Sequence, residues 1–316
     1  MKKIKIASAQ FEHRSNDKPY NLQKIEELAA KAKNDGADVI AFHELCITGY
    51  SFLLDLSKSE LKSIAEIIPE GQSIKRIKEI SEDLGIIILA GLVESFENKV
   101  YNSYFAVDGD KLLAVYRKIH PFINPHIVPG EEYIFFNIKG WKCSILICYD
   151  NNIIENVRAV TLEGTQILFA PHVTGGTPSP APGRGYIGMR LWENRVSDPV
   201  SIRNEILGPK GRGWLMKWLP ARAFDNGIYV IFSNAIGLDH DHIKNGNSMI
   251  IDPFGDILSE VNTLGDDFVV GLCEPKKLME AGGYRYRKAR KPEIYSELIG
   301  MPHKSETRPI WMKDIE

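Results

Sequence analysis

A chain of 316 residues, 44% hydrophobic and 25% charged, has the make-up of an ordinary soluble globular protein and is long enough to bury a large α/β core. Lys and Arg number 39 against 41 Asp and Glu, so a net charge of −2 gives no electrostatic basis for binding nucleic acid or an anionic membrane. Four cysteines (Cys46, Cys143, Cys148 and Cys273) show no disulfide or zinc spacing, and no apolar run suits a signal peptide or membrane span; a reducing, cytoplasmic setting is expected.

Residues 3–10 alternate charge with Ile4, Ile6 and Ala7 and predict a first strand. From Asn21, the residues Leu22, Ile25, Leu28, Ala29 and Ala32 recur at helical spacing until Asn34-Asp35-Gly36 closes the helix. Residues 37–42 then form a short buried strand, which completes a β-α-β opening. Helices at 59–67 and 73–84 precede an apolar strand at 86–90, and strands at 100–107 and 111–116 are joined by the hairpin turn Asp108-Gly109-Asp110. Crossover helices together with hairpins predict a mixed sheet.

An apolar run from Trp141 carries straight into Cys148, then into polar Asp150-Asn151-Asn152 and a helical pattern over 153–162, which reads as strand, sharp turn and helix. A buried strand follows at 166–170. Residues 171–213 are rich in Gly, Pro and Arg with little periodicity, and are read as an irregular loop insertion, either a lid or rim over the site or a surface insertion without a role. A helix at 214–226 and strands at 228–233, 248–251 and 268–273 complete a single domain spanning 1–316. The tail, 284–316, opens on a basic run and carries Pro292, Pro302 and Pro309; with little of its own domain to pack on, it is expected at a subunit interface.

The position of Cys148 has chemical consequences. A helix N-terminus beyond the turn would favour thiolate over thiol, and the thiolate is the nucleophile; equally, a cysteine there can be a small buried hydrophobe. Glu44 follows the strand at 37–42 and Lys118 follows the strand at 111–116, where sites of α/β proteins lie. Singly each is an ordinary rim charge. Together the three supply the nucleophile, the proton carrier and the cation that acyl transfer from nitrogen requires. A Cys-His hydrolase using His120 or His172 ranks behind, because Glu44 and Lys118 already fill both roles; His172 otherwise reads as a residue that contacts substrate or supports the site. His43 and His120 read as groups bracing Glu44 and Lys118, or as polar residues at strand ends. Asp239-His240-Asp241-His242 has a metal site's composition but reads as solvated surface between strands.

The segments Phe42-His43-Glu44-Leu45-Cys46-Ile47-Thr48-Gly49-Tyr50, Tyr116-Arg117-Lys118-Ile119-His120-Pro121 and Ile147-Cys148-Tyr149-Asp150, in that order, resemble the catalytic blocks of the nitrilase, or carbon-nitrogen hydrolase, superfamily. The resemblance implies an α-β-β-α sandwich with two mixed sheets, face-to-face pairing into a homodimer or larger homo-oligomer, and a Glu44-Lys118-Cys148 triad. It implies further that Lys118 and the Tyr149 backbone N–H hold the oxyanion, that water is the second substrate, and that no metal or organic cofactor is needed. Many members carry another glutamate several residues before a Pro-Gly. Here Pro129-Gly130 is preceded by no carboxylate over 122–128, which leaves Asn124 or His126 as candidates for its substrate-positioning role.

Cys148-Tyr149-Asp150 resembles the amidase and N-carbamoyl amino acid hydrolase branches, whereas true nitrilases continue Trp-Glu. Among Arg184, Arg190, Arg195 and Arg203 the loop offers a possible clamp for a substrate carboxylate. The implied activity is hydrolysis of a linear amide or N-carbamoyl compound with release of ammonia. Acyl transfer to an amine, nitrile hydrolysis and a non-catalytic scaffold are the alternatives.

Overall fold

The computed structural model describes residues 1–175 and 185–306. Among these, the strands in chain order are β1 (Ile4–Gln10), β2 (Val39–Ala41), β3 (Ile87–Phe96), β4 (Lys99–Asp108), β5 (Lys111–Arg117), β6 (Phe135–Ile138), β7 (Trp141–Ile145), β8 (Ile167–His172), β9 (Tyr229–Asn234), β10 (Ile236–Asp239), β11 (His242–Asn245), β12 (Met249–Ile251), β13 (Ile257–Glu260) and β14 (Asp267–Cys273). They build two six-stranded mixed sheets, ordered β14-β1-β2-β3-β4-β5 and β13-β12-β9-β8-β7-β6, and a small β10-β11 hairpin. Each sheet has three parallel strands at its centre, β1-β2-β3 in one and β7-β8-β9 in the other, with antiparallel strands outside them. This is the α-β-β-α sandwich expected from the sequence.

The two-residue side-chain period of a strand explains the layering. In β3, Ile87 and Leu89 belong to the core shared with the second sheet, while Ile88, Ala90 and Leu92 pack under the outer helices Lys18–Asn34 and Gln72–Leu84. Ile25, Leu28, Ala29 and Ala32 from the first of those helices and Ile74, Ile77 and Ile80 from the second fill that layer, as the helical spacing predicts. Each fully buried aliphatic side chain contributes about 1.5–3 kcal/mol. On the other side, Val157 and Val160 of helix Ile154–Leu162 and Leu219 and Ala223 of helix Leu219–Phe224 join the second sheet's core. Buried serines tie the sheets together: the Ser8 hydroxyl donates to the Phe232 carbonyl (2.6 Å) and the Ser233 hydroxyl to the Ala41 carbonyl (2.9 Å).

Three local expectations need correction. The 171–213 insertion is not uniformly irregular: among its described residues are helices Met189–Glu193 and Pro199–Leu207, the latter capped by the Asp198 carboxylate on the Ser201 N–H. Their buried Trp192, Ile202 and Ile206 pack with Ile236 and Ile243 of the hairpin, but such short helices repeat too few times to show a period. The single helix expected at 214–226 is two pieces, Arg212–Leu215 and Leu219–Phe224, with Pro220 in the first turn of the second. The 239–242 stretch turns inside the β10-β11 hairpin, and Asp239 is buried there instead of solvated. The described part of the tail forms helices Gly282–Lys288 and Pro292–Ile299, the second exposing Ile294, Leu298 and Ile299. No helix among the described residues is long and apolar enough to cross a membrane.

Candidate active site

The parallel centres of both sheets open towards the same region, and each supplies one reactive side chain just beyond a strand. After β2 the backbone stays stitched to β3 through Phe42 N–H to Leu89 C=O (3.0 Å) and Ile47 N–H to Gly91 C=O (3.0 Å), which fixes Glu44 between them. Leu45 takes a left-handed φ of 48°, a conformation costing a leucine about 1–2 kcal/mol. The close approach depends on Gly91, where a Cβ would meet the Leu45 backbone nitrogen at 2.8 Å. Lys118 follows β5 and remains paired to β4 by its N–H to the Asn102 carbonyl (2.9 Å).

Cys148 stands on a comparable elbow, also with φ 48°, at the start of a single 3-10 turn, Cys148–Asn151. The turn is held from within by Asp150, which is wholly buried. Its carboxylate accepts from the Tyr116 hydroxyl (2.8 Å), the His120 N–H (2.9 Å) and the Ile147 N–H (3.2 Å), and contacts His120 Nδ1 at 2.8 Å. From outside, Arg222 donates to the carbonyls of Asn151 (2.8 Å) and Asn152 (3.0 Å).

These elbows bring Glu44, Lys118 and Cys148 into one cluster. The Lys118 ammonium donates to Glu44 Oε1 at 2.6 Å, and the Asn102 amide donates to the same oxygen at 2.7 Å. Glu44 Oε2 is buried with no partner among the described residues. Burial opposes the Lys118 ammonium, but Glu44, Cys148 and Asp150 outweigh it and hold lysine's pKa above its usual value. Burial, and then the Glu44 charge, push the Cys148 thiol up to about 12, against the opposing pull of Lys118 and a backbone hydrogen bond from Val173. A helix dipole favouring the thiolate, one of the two readings of Cys148, does not account for this direction. The 3-10 turn separates the sulfur from helix Ile154–Leu162, and the nearby carboxylate favours the neutral thiol. The Tyr149 N–H makes no hydrogen bond among the described residues.

Cys148 lines a cavity of about 600 Å³ together with Tyr50, Phe122, His172, Trp218 and Lys244. His172 also lines the cavity. Its ring lies 4.8 Å from that of Phe232 and its Nε2 is 3.3 Å from the Asn151 amide, and burial followed by the Lys118 charge drives its pKa well below the usual value. His120 braces Asp150 and not Lys118, and His43 pairs with His13 (3.0 Å) and not with Glu44. Asn124 and His126 do not line the cavity: the Asn124 amide is spent on the Leu53 and Leu56 carbonyls (2.7 and 2.8 Å), and His126 is exposed. Arg190, Arg195 and Arg203 are also absent from the lining, and Arg184 lies outside the described residues. Sequence reasoning missed Asn102, Tyr50 and Lys244. Asn102 gave a faint signal, as a lone amide beside Ser103 in the largely apolar and aromatic middle of β4.

Two stacked mixed sheets carrying a buried carboxylate–ammonium pair and a thiol that lines a cavity define a class of thiol-bearing α-β-β-α proteins. The chain belongs to the carbon-nitrogen hydrolase family, whose model matches residues 5–278, and it is thus an enzyme of carbon–nitrogen bond hydrolysis. It is 29% identical over 263 residues to a 2-oxoglutaramate amidase of Bacillus subtilis, covering 81% of this chain and 85% of that one. Over 313 residues it is 25% identical to an N-carbamoylputrescine amidase of Solanum lycopersicum, covering 94% and 95% of the two chains. The solved structure of an amidase from Nesterenkonia sp. shares the fold, with a TM-score of 0.68 at 24% identity over 93% of this chain and 96% of that chain.

Proposed function

We propose that the protein hydrolyses a linear amide or N-carbamoyl compound through a thioester on Cys148 and releases ammonia. The observation that carries this reading is the division of labour within one buried carboxylate. Glu44 Oε1 is occupied by Lys118 and Asn102, while Oε2 is unpartnered, in the neighbourhood of a thiol that is protonated at rest. Such a carboxylate takes the thiol proton as sulfur attacks the carbonyl carbon. The Lys118 ammonium and the Tyr149 N–H are the candidate donors to the developing oxyanion. Collapse breaks the C–N bond as Glu44 passes its proton to the departing nitrogen. A water deprotonated by Glu44 then attacks the thioester, giving the acid and restoring the thiol. The names of the tomato and Bacillus relatives, a carbamoyl amidase and an amidase, support both substrate types.

The test is a screen of amides, N-carbamoyl amino acids and nitriles for ammonia release, repeated with Cys148→Ala. Loss of turnover with an unchanged circular dichroism spectrum is expected; normal ammonia release from that variant overturns the proposal. With an added acceptor amine, the free acid remains the sole product. The same reading carries homodimeric or larger assembly, supported by Ile154, Leu162 and Ile299, exposed side chains around one shared concavity, and sedimentation velocity measures it.

A further inference from the structure

The cavity has a wall that the proposed chemistry leaves unused. Lys244, in β11, is only 1% exposed yet lines the same cavity as Cys148. Its charged neighbour is Asp239, whose Oδ2 lies 3.5 Å from the ammonium, beyond the ~2.7–2.9 Å of a charge-assisted hydrogen bond. That oxygen already accepts from the Ser51 hydroxyl (2.6 Å) and Ser51 N–H (3.2 Å), and Oδ1 is bound to His13 Nε2 at 2.8 Å. An ammonium with three donors therefore meets no short acceptor among the described residues. Tyr50 presents a second idle donor, since its buried hydroxyl has no partner among those residues. The Tyr50 ring centre lies 5.9 Å from Lys244 Nζ and 5.7 Å from Lys118 Nζ, so the two ammonium groups are no more than about 12 Å apart. No Asp or Glu lines the cavity among the described residues, whereas Lys217 and Arg222 do.

We propose that Lys244 and Tyr50 form an anion subsite that receives a carboxylate of the substrate, at the other end of a short chain from the bond being cleaved. The inference rests on the proposed amide or carbamoyl hydrolysis and adds a substrate class to it: acid-tailed amides and ureas. A carboxylate can accept from both donors, and no side-chain carboxylate among the described lining residues offers an ion pair to a cationic tail. A purely structural Lys244, holding Asp239 in place, makes no distinction between tails.

The experiment compares pairs of equal chain length: succinamate with butyramide, glutaramate with valeramide, and 3-ureidopropionate with propylurea. For the intact enzyme, kcat/KM is expected to favour the acid-tailed member at least tenfold. In Lys244→Met that ratio falls at least tenfold, mainly through KM, and in Tyr50→Phe, which keeps the ring packing, it falls by a smaller factor in the same direction. A ratio near one in the intact enzyme, or a ratio that both variants preserve while overall turnover falls, overturns the subsite. Absence of turnover on every compound counts against the hydrolase reading itself. The subsite is then judged by calorimetric binding of glutaramate and valeramide to Cys148→Ala, where equal affinities overturn it and a Lys244-dependent preference for glutaramate sustains it.

Discussion

Replacing Glu44 by Gln separates the charge of the buried carboxylate from its shape. The amide oxygen can still accept from Lys118 and Asn102 at the position of Oε1, but the free Oε2 becomes an NH2 that cannot take a proton. Two magnitudes follow. Breaking a buried ion pair outright costs about 3–5 kcal/mol, and because the hydrogen bonds survive here the loss of stability should fall below that range. Removing a general base costs about 10²- to 10⁴-fold in kcat, or roughly 3–5 kcal/mol of barrier, and Glu44 is required in both halves of the proposed cycle. The thiol should move the opposite way from activity. Glu44 raises the Cys148 pKa and Lys118 lowers it, so neutralising Glu44 shifts that pKa below its wild-type position near 12. Ammonia release gives kcat, thermal unfolding gives stability, and ultraviolet thiolate absorbance, referenced to Cys148→Ala, gives the thiol titration. A kcat within tenfold of wild type, or a thiol pKa that rises in Glu44→Gln, refutes the reasoning.

Asp150→Asn turns an amide donor towards the hydroxyl and N–H donors that Asp150 now accepts; a loss of about 3 kcal/mol is expected in denaturant unfolding, and an unchanged midpoint would show that Asp150 does not hold the elbow. In Gly91→Ala the new methyl meets Leu45 N at 2.8 Å and Tyr104 Cδ2 at 3.0 Å, which should cost about 1–3 kcal/mol by overpacking and lower kcat through displacement of Glu44; wild-type kinetics would contradict it. Iodoacetamide followed by mass spectrometry should label Cys148, which lines the cavity, ahead of the fully buried Cys46, Cys143 and Cys273. The alkaline limb of stability supplies a further check. Burial lifts the Cys46 thiol from 9.0 to about 12, so its contribution is intact below pH 9 and is lost as pH rises towards 12, where the unfolded chain releases a proton that the folded chain retains. Cys46→Ala should therefore lose less stability than wild type between pH 8 and pH 11.

What the sequence by itself determined is what repeats locally. Alternation in 3–10, the helical spacing of Leu22 to Ala32 and the apolar approach to Cys148 follow from the periods of strand and helix, and they placed Glu44, Lys118 and Cys148 beyond strands without coordinates. The ordered blocks around those residues were equally readable, because motif residues are close neighbours in the chain. Short helices such as Met189–Glu193 and Pro199–Leu207, and the β10-β11 hairpin, repeat too briefly to show a period and were missed.

The tertiary structure alone decided the charge state and the company of each reactive group. Burial, and then the charge of Glu44, distant in sequence, push the Cys148 thiol up to about 12, an effect that no helix-terminus argument contains. Asn102 reaches Glu44 across 58 positions of sequence, and Asp239 bonds to Ser51 across 188. Lys244 looks like any surface lysine until the fold buries it against a cavity. Burial and long-range electrostatics depend on where chain segments cross in space, and local periodicity carries no record of those crossings.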